Sequence, residues 1–494
     1  MNEASDDTRR FAVAVVGAGF GGIGTAIALK RAGISNFVVF ERADDIGGVW
    51  RDNTYPGAAC DVPSSLYSYS YAQERDWSRP CPSQADIHDY LSRTADRFGV
   101  GGHIETGTGV AAADYDERTA SWVVQTEAGE TVLASSLVLA TGQLSRPSTP
   151  EIEGQADFAG TTFHSAEWDH SFDARGKRIA VIGTGASAVQ FVPELARQAA
   201  RVDVYQRTPP WMLPRRNNDY APWAKALIGR VPGLQRLRRS SLLAFGEGGI
   251  AGQTRLPAFR VMMQAWSEWF MRRQVADPEL RKRIWPDYPI GCKRVLFSSK
   301  YLPALQRDNV ELVTDRISHI STAGPVTVAG DERAVDCIVY GTGFRSHEFV
   351  APMRVAGRGG AELAQRWSEG ARAHLGITVS GFPNMFLIYG PNTNLGFGSI
   401  VLMIEAQIGY VMDALRVLER TGADAIDVRP EAEEASTERV QEHLRHSVWT
   451  ACESWYRQGS DGRIVNNWPG QMAEYVNATR SVSTHRYELI RCSS

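Results

Sequence analysis

Two stretches of this chain place glycines at a spacing that suits bound phosphate. The first is Gly17-Ala-Gly19-Phe-Gly-Gly22, which follows the apolar, β-branched run Phe11 to Val16 and leads into a helical stretch from Ile23 to Ala32. In such a strand, turn and helix each glycine has a task. Gly17 permits the tight turn, Gly19 lets a pyrophosphate approach the backbone, and Gly22 lets the helix lie close to the strand. The helix N-terminus then faces the phosphates. A second apolar strand, Phe37 to Phe40, ends at Glu41, nineteen residues beyond Gly22. A carboxylate there accepts hydrogen bonds from a ribose and repels a 2′-phosphate, which favours FAD or NAD over NADP.

The same pattern recurs where Arg178 to Ile182 runs into Gly183-Thr-Gly185-Ala-Ser-Ala188, with alanine in the third small position. The strand that follows, Arg201 to Tyr205, leads not into an acid but into Gln206-Arg207-Thr208. A guanidinium grips the 2′-phosphate of NADP bidentately, and the Thr208 hydroxyl adds a donor. Gly47-Gly48-Val49-Trp50, soon after Glu41, resembles the second flavin-contacting turn of two-dinucleotide flavoproteins, so FAD is the expected occupant of the first site. Two sites of opposite polarity imply electron flow from NADPH to a flavin. Ala140-Thr-Gly142 and Gly341-Thr-Gly343, each at the end of an apolar strand, are expected where the chain crosses between the two nucleotide domains.

Between the two glycine turns lies Phe158-Ala-Gly160-Thr-Thr-Phe-His164-Ser-Ala-Glu-Trp168-Asp169. This stretch resembles the F-x-G-x-x-x-H-x-x-x-W-[P/D] signature of the type I Baeyer-Villiger monooxygenases, the class B flavoprotein monooxygenases, with every defining position met. The order of motifs from about Val13 to Gly470 is similar to that family's as well. The resemblance implies an enzyme that uses NADPH and dioxygen to convert a ketone to an ester or lactone through a peroxyflavin. It gives His164 and Trp168 a conformational role in the segment that links the domains.

Other motifs acquire roles from the same resemblance. Tyr55-Pro-Gly57-Ala-Ala59-Cys-Asp61 is similar to the family's turn beside the isoalloxazine, with Ala59 where some members carry arginine, so a local charge contact is expected to be missing. Gly291-Cys-Lys293-Arg294 resembles the family's Lys-Arg pair. On extended chain, neighbouring side chains point in opposite directions, which would send Lys293 to the NADP phosphate and Arg294 to the flavin. The resemblance further implies that Arg294 stabilises negative charge during oxygenation and that Asp61, beside the flavin, orients it as its ion partner. It implies too that Gln143 meets the nicotinamide or the substrate and that Leu395-Gly396-Phe397 forms a substrate loop. The competing reading is a flavin monooxygenase acting on amine or sulfide heteroatoms through the same cofactors; Trp168 and Arg294 argue against it.

These residues require a large α/β scaffold of two Rossmann-like dinucleotide-binding domains, and a 494-residue chain that is 43% hydrophobic can supply it. Residues 1–145 are expected to form the first FAD segment, and residues 146–345 the NADP domain with a helical insertion at about 211–289. Residues 346–494 are expected to return to the FAD domain with a helix from Ile400 to Thr421. Charge is nearly balanced, 53 Lys and Arg against 56 Asp and Glu, which disfavours nucleic acid as a partner. Six scattered cysteines, with no C-x-x-C pair, suggest neither a metal site nor a dithiol centre and suit a reducing cytoplasm. The polar opening MNEASDDTRR and the lack of a long apolar run predict no export signal and no membrane span, although Leu234 to Phe245 mixes leucines with arginines in a way that a solvated helix face explains. Neither the ketone nor the oligomeric state is legible at this level.

Overall fold

The computed structural model describes residues 8–215, 217–221, 223, 225, 231–458 and 462–492. Residues 1–7 of the polar opening, and parts of the 211–289 stretch, lie outside them. Two parallel sheets of matching design organise the chain. One runs Ile104–Glu105, Phe37–Phe40, Arg10–Val16, Thr131–Leu139, Met385–Leu387. The other runs Val310–Val313, Arg201–Tyr205, Arg178–Ile182, Cys337–Tyr340, Thr161–His164. In each, the strand that feeds the glycine turn lies at the centre, flanked by the strand that ends in Glu41 or in Gln206-Arg207.

The first sheet carries an extension. Thr131–Leu139 is long enough to serve two partners: its first half pairs antiparallel with Ser121–Thr126 and its second half pairs parallel with Met385–Leu387. A meander of Val110–Asp116, Ser121–Thr126 and Arg354–Ala356 is thereby joined to the nucleotide sheet. The strands of the first sheet come from residues 10–139 and 354–387, and those of the second from 161–340. The central strands read as unbroken apolar runs because both faces are covered. Phe37, Val38, Val39 and Phe40 are each 2% exposed or less, and full burial of such a side chain contributes about 1.5–3 kcal/mol.

Helices Pro232–Thr254, Pro257–Gln274 and Pro278–Arg283 fill much of the 211–289 stretch, each starting on a proline whose missing N–H has no intrahelical partner at that position. Leu237 and Phe245 are exposed on the first of them. The helix Ile400–Thr421 begins and ends where its sequence places it, with the Ser399 hydroxyl accepting from the Leu402 N–H and Gly422 in the left-handed conformation. Among the described residues no helix is long and apolar enough to cross a membrane, and no cluster of His, Cys, Asp and Glu could hold a metal ion.

The two chain crossings do more than link domains. A Cβ on Gly17 would lie 2.7 Å from the Ala140 carbonyl oxygen, and one on Gly183 would lie 2.5 Å from that of Gly341. Both glycines have positive φ. Each crossing therefore seats directly on the first glycine of its turn, a tertiary contact that local spacing does not reveal.

Gly22 meets its own turn still more closely, since a Cβ there would fall 1.7 Å from the Gly17 carbonyl oxygen. Gly22→Ala is expected to destabilise the protein by at least the roughly 1–3 kcal/mol of ordinary overpacking. Thermal and urea melting would check this; unchanged stability would contradict the close helix–strand approach.

Candidate active site

One cavity lies over the end of the first sheet, and Gly17, Gly19, Glu41, Gly48, Trp50 and Gln143 are in its wall. Gly48 adopts φ +54°, and a Cβ on it would come 3.3 Å from the Gly19 Cα, so two bare backbone segments face each other. Glu41 is held rigidly: Oε2 accepts from the Ala18 N–H at 2.8 Å, and Oε1 from the Ala43 N–H at 3.1 Å and from Arg51 at 2.9 Å. Trp50 donates from Nε1 to the Tyr67 hydroxyl at 3.0 Å. Bare glycine backbone for a pyrophosphate, a fixed buried acid for a ribose and an apolar wall fit a flavin dinucleotide. Gln143 is a strut here, its amide donating to the carbonyls of Tyr389 and Gly390 and accepting from Asn466. Gly22 lies behind the turn, against the strand, as its assigned task requires.

A second pocket gathers Arg207, Thr208 and Lys293, with Asp287 and Glu453 also in its wall. The turn containing Gly183 and Gly185 reaches it through the Thr184 hydroxyl, which donates to the Thr208 carbonyl at 3.3 Å. Ala188, fully buried, starts the helix Ala188–Leu195. The Lys293 ammonium sits 5.0 Å from the Tyr288 ring centroid. Burial, and then the nearby Arg207 charge, push its pKa below the ordinary lysine value. Like charges gathered in one pocket favour an anionic occupant, and the chemistry of this donor set fits a sugar phosphate.

Next along the chain from Lys293, Arg294 Nη2 donates to Asp61 Oδ2 at 2.7 Å. Asp61 keeps 17% of its side-chain exposure and Arg294 35%. Burial works to raise the Asp61 pKa, but the charge and hydrogen bond of Arg294, helped by the charge of Arg215, outweigh it and hold the carboxyl below its usual range. The Asp61 charge in turn raises Arg294. Lys293 lines the Arg207 pocket while the neighbouring Arg294 turns to Asp61, and both lie on irregular chain, so strand alternation is not what separates them.

The Asp61 turn is clamped to the second nucleotide unit. A Cβ on Gly57 would lie 2.8 Å from the Gln190 carbonyl oxygen, which explains the glycine at φ +83°. The Gln190 side chain accepts from the Ala59 N–H at 3.1 Å and donates to the Ala59 carbonyl at 2.9 Å. Tyr55 donates to the same amide oxygen at 3.2 Å. Sequence reasoning missed Gln190, and only its place two residues into the helix after the second glycine turn hints at it.

The cysteines require a correction. Cys292 and Cys452 form a disulfide, whereas the sequence reading expected no cysteine pair and took all six as suited to a reducing medium. The bond ties the residue before Lys293 to the wall of the phosphate pocket across 160 residues of sequence. Spacing motifs report only local pairs, and this one is distant. Cys60, Cys81, Cys337 and Cys492 are free.

His164 is buried at the end of Thr161–His164, its Nδ1 accepting from the Ala166 N–H at 3.1 Å, and burial lowers its pKa. It is a neutral, packed histidine. Trp168 lies edge-on to Phe163 at 5.0 Å and tilted against Phe191 of the helix Ala188–Leu195 at 5.4 Å. The linker residues therefore bear on the helix that also clamps the Asp61 turn. Leu395 is buried with Ile250, Met403 and Tyr475, while Gly396 and Phe397 press on Gln253 and Gly249 of the helix Pro232–Thr254. Neither pocket described above includes these three residues.

Comparisons with known proteins agree with this arrangement. Residues 14–232 match the family model described as pyridine nucleotide-disulphide oxidoreductase. A Baeyer-Villiger monooxygenase of Streptomyces coelicolor is 42% identical over 482 residues, covering 97% of this chain and 92% of the relative. One from Pseudomonas aeruginosa is 40% identical over 483 residues, with the same two coverages. Among solved structures, an oxidized steroid monooxygenase bound to NADP superposes with a TM-score of 0.88 at 31% identity, covering 98% of this chain and all of the other. With two nucleotide sites and whole-length relatives of this identity, the chain belongs to the type I Baeyer-Villiger monooxygenase family.

Proposed function

We propose that this protein converts a ketone to an ester or lactone with NADPH and dioxygen, holding FAD in the cavity of Glu41 and Gly48 and the NADPH 2′-phosphate at Arg207, Thr208 and Lys293. The observation that supports the reading is the Asp61–Arg294 pair at 2.7 Å, with Arg294 next in the chain to Lys293 of the second pocket and within electrostatic reach of Tyr389 in the wall of the first. Bound FAD, once reduced by NADPH, supplies the activation of dioxygen. The rest falls to the chain's own residues.

Arg294 carries its positive charge at every working pH, since Asp61 raises an already high pKa. Asp61 engages Nη2 of the guanidinium, and the Arg294 side chain stays partly exposed. Attack on a ketone carbon drives negative charge onto the carbonyl oxygen, and preoriented donors stabilise that charge without having to reorganise. A water-poor setting strengthens the interaction. His164 and Trp168 transmit movement of one nucleotide unit to the other through Phe191, and Leu395-Gly396-Phe397 adjusts the substrate side through the helix Pro232–Thr254. A cytoplasmic setting, where NADPH is regenerated, belongs to this reading and rests on that coenzyme demand, against the Cys292–Cys452 disulfide, which a reducing medium disfavours.

Purified protein given a panel of ketones should consume NADPH and form esters or lactones, identified by mass. Products confined to sulfoxides and amine oxides from added sulfides and amines would overturn the reading. Arg294→Ala should keep NADPH oxidation while ester formed per NADPH falls about 10²- to 10³-fold, the loss typical of removing one oxyanion donor, with hydrogen peroxide appearing instead. Arg207→Ala should raise KM for NADPH roughly 10- to 100-fold, as loss of a charged hydrogen bond implies, and leave KM for NADH nearly unchanged. Equal effects on both coenzymes would remove the 2′-phosphate from this pocket.

A further inference from the structure

The turn bearing Asp61 has alanine at position 59, where the family resemblance implies arginine in some members. A cation nonetheless stands beside it. We propose that Arg215, from the segment after the second sheet's Arg201–Tyr205 strand, supplies from a distant part of the same chain the positive charge that the turn lacks and acts as a positioning residue for the Asp61–Arg294 pair. The inference rests on the role proposed above for that pair.

Three observations support it. Arg215 Nη2 donates to the carbonyl of Cys60, the residue before Asp61, at 2.5 Å. Among the described residues its Nε is buried without a hydrogen-bond partner. A guanidinium with an unsatisfied buried donor needs an electrostatic reason to remain in place, and the Asp61 carboxylate supplies one. The Arg215 backbone is also immobilised: its N–H donates to Ser299 Oγ at 3.0 Å, and that hydroxyl donates back to its carbonyl at 3.1 Å. Two residues on, Asn217 grips both the N–H and the carbonyl of Cys81 at 2.8 Å. Cys60 in turn donates its N–H to the Pro82 carbonyl. Arg215 therefore sits at a fixed point against the turn.

The Asp61 carboxylate is faced by Arg294 and Arg215 as cations, and by Tyr55, Cys60, Tyr67 and Cys81 as groups that ionise only at high pH. Its pKa is lowered in the fold, so its stabilising effect is present above the unfolded value and is lost as pH falls through the folded value. Removing the Arg215 charge raises the folded value, and the loss then begins at higher pH.

The test compares Arg215→Ala, Arg215→Lys and the double variant Arg215→Ala/Ala59→Arg as flavin-loaded proteins. Melting temperature against pH, read without turnover, should show the acid limb of Arg215→Ala displaced to higher pH. Arg215→Lys and the double variant should return it most of the way. Ester formed per NADPH should fall several-fold in Arg215→Ala, with KM for NADPH changed less than twofold, and recover in the other two. An unmoved acid limb in Arg215→Ala, or a defect that neither the lysine nor the relocated arginine repairs, overturns the proposal. Should wild type form no ester from any ketone, the functional reading falls by itself, while the melting curves still decide whether Arg215 sets the Asp61 carboxylate.

Discussion

An ion pair withdrawn from water keeps its charges only if both partners are held where their attraction and hydrogen bonds offset desolvation, a penalty of several kcal/mol per ion. Asp61 and Arg294 meet that condition through the fold around them. The Asp61 turn is gripped by Gln190 at Ala59 and by Arg215 at Cys60, and Gly57 lets it lie against the helix Ala188–Leu195. Arg294 follows Lys293 and Cys292, and the disulfide to Cys452 anchors that bend. Each ion thus belongs to a different part of the chain, and neither keeps its position if the two nucleotide units are not seated together.

That dependence explains why the linker residues matter without touching any chemistry. Phe191 receives Trp168 on one side and Tyr55, edge-on at 5.9 Å, on the other. One aromatic ring thus stands between the linker residue Trp168 and the Asp61 turn, and close-packed side chains there have little room to absorb a shift.

Much of the arrangement was legible in the amino-acid order, and the reason is local. Gly17, Gly19, Gly22 and Glu41 answer to backbone geometry within one strand, turn and helix, and Arg207 follows its strand as Glu41 follows its own. Lys293 and Arg294 do part, one to the Arg207 pocket and the other to Asp61, but on irregular chain, so alternation along a strand did not supply the reason. What escaped notice depends on distant contacts. Gln190 reaches Ala59 across 131 residues, Arg215 reaches Cys60 across 155, and Cys292 reaches Cys452 across 160. Gln143, named as a ligand contact, has an amide engaged by Tyr389, Gly390 and Asn466, which its own neighbourhood gave no means to foresee. Leu395 belongs to a small apolar cluster for the same reason.

The split first sheet has a consequence for the order of biosynthesis. The central strand Thr131–Leu139 awaits Met385–Leu387, and Gln143 awaits Tyr389, 246 residues further along. At ribosomal rates of about 5–20 residues per second, that interval lasts on the order of tens of seconds. The nascent polypeptide must shelter an unpaired apolar strand edge over this period, and the second nucleotide unit, whose strands lie wholly within the intervening stretch, can mature first and serve as the platform on which the earlier half is finished.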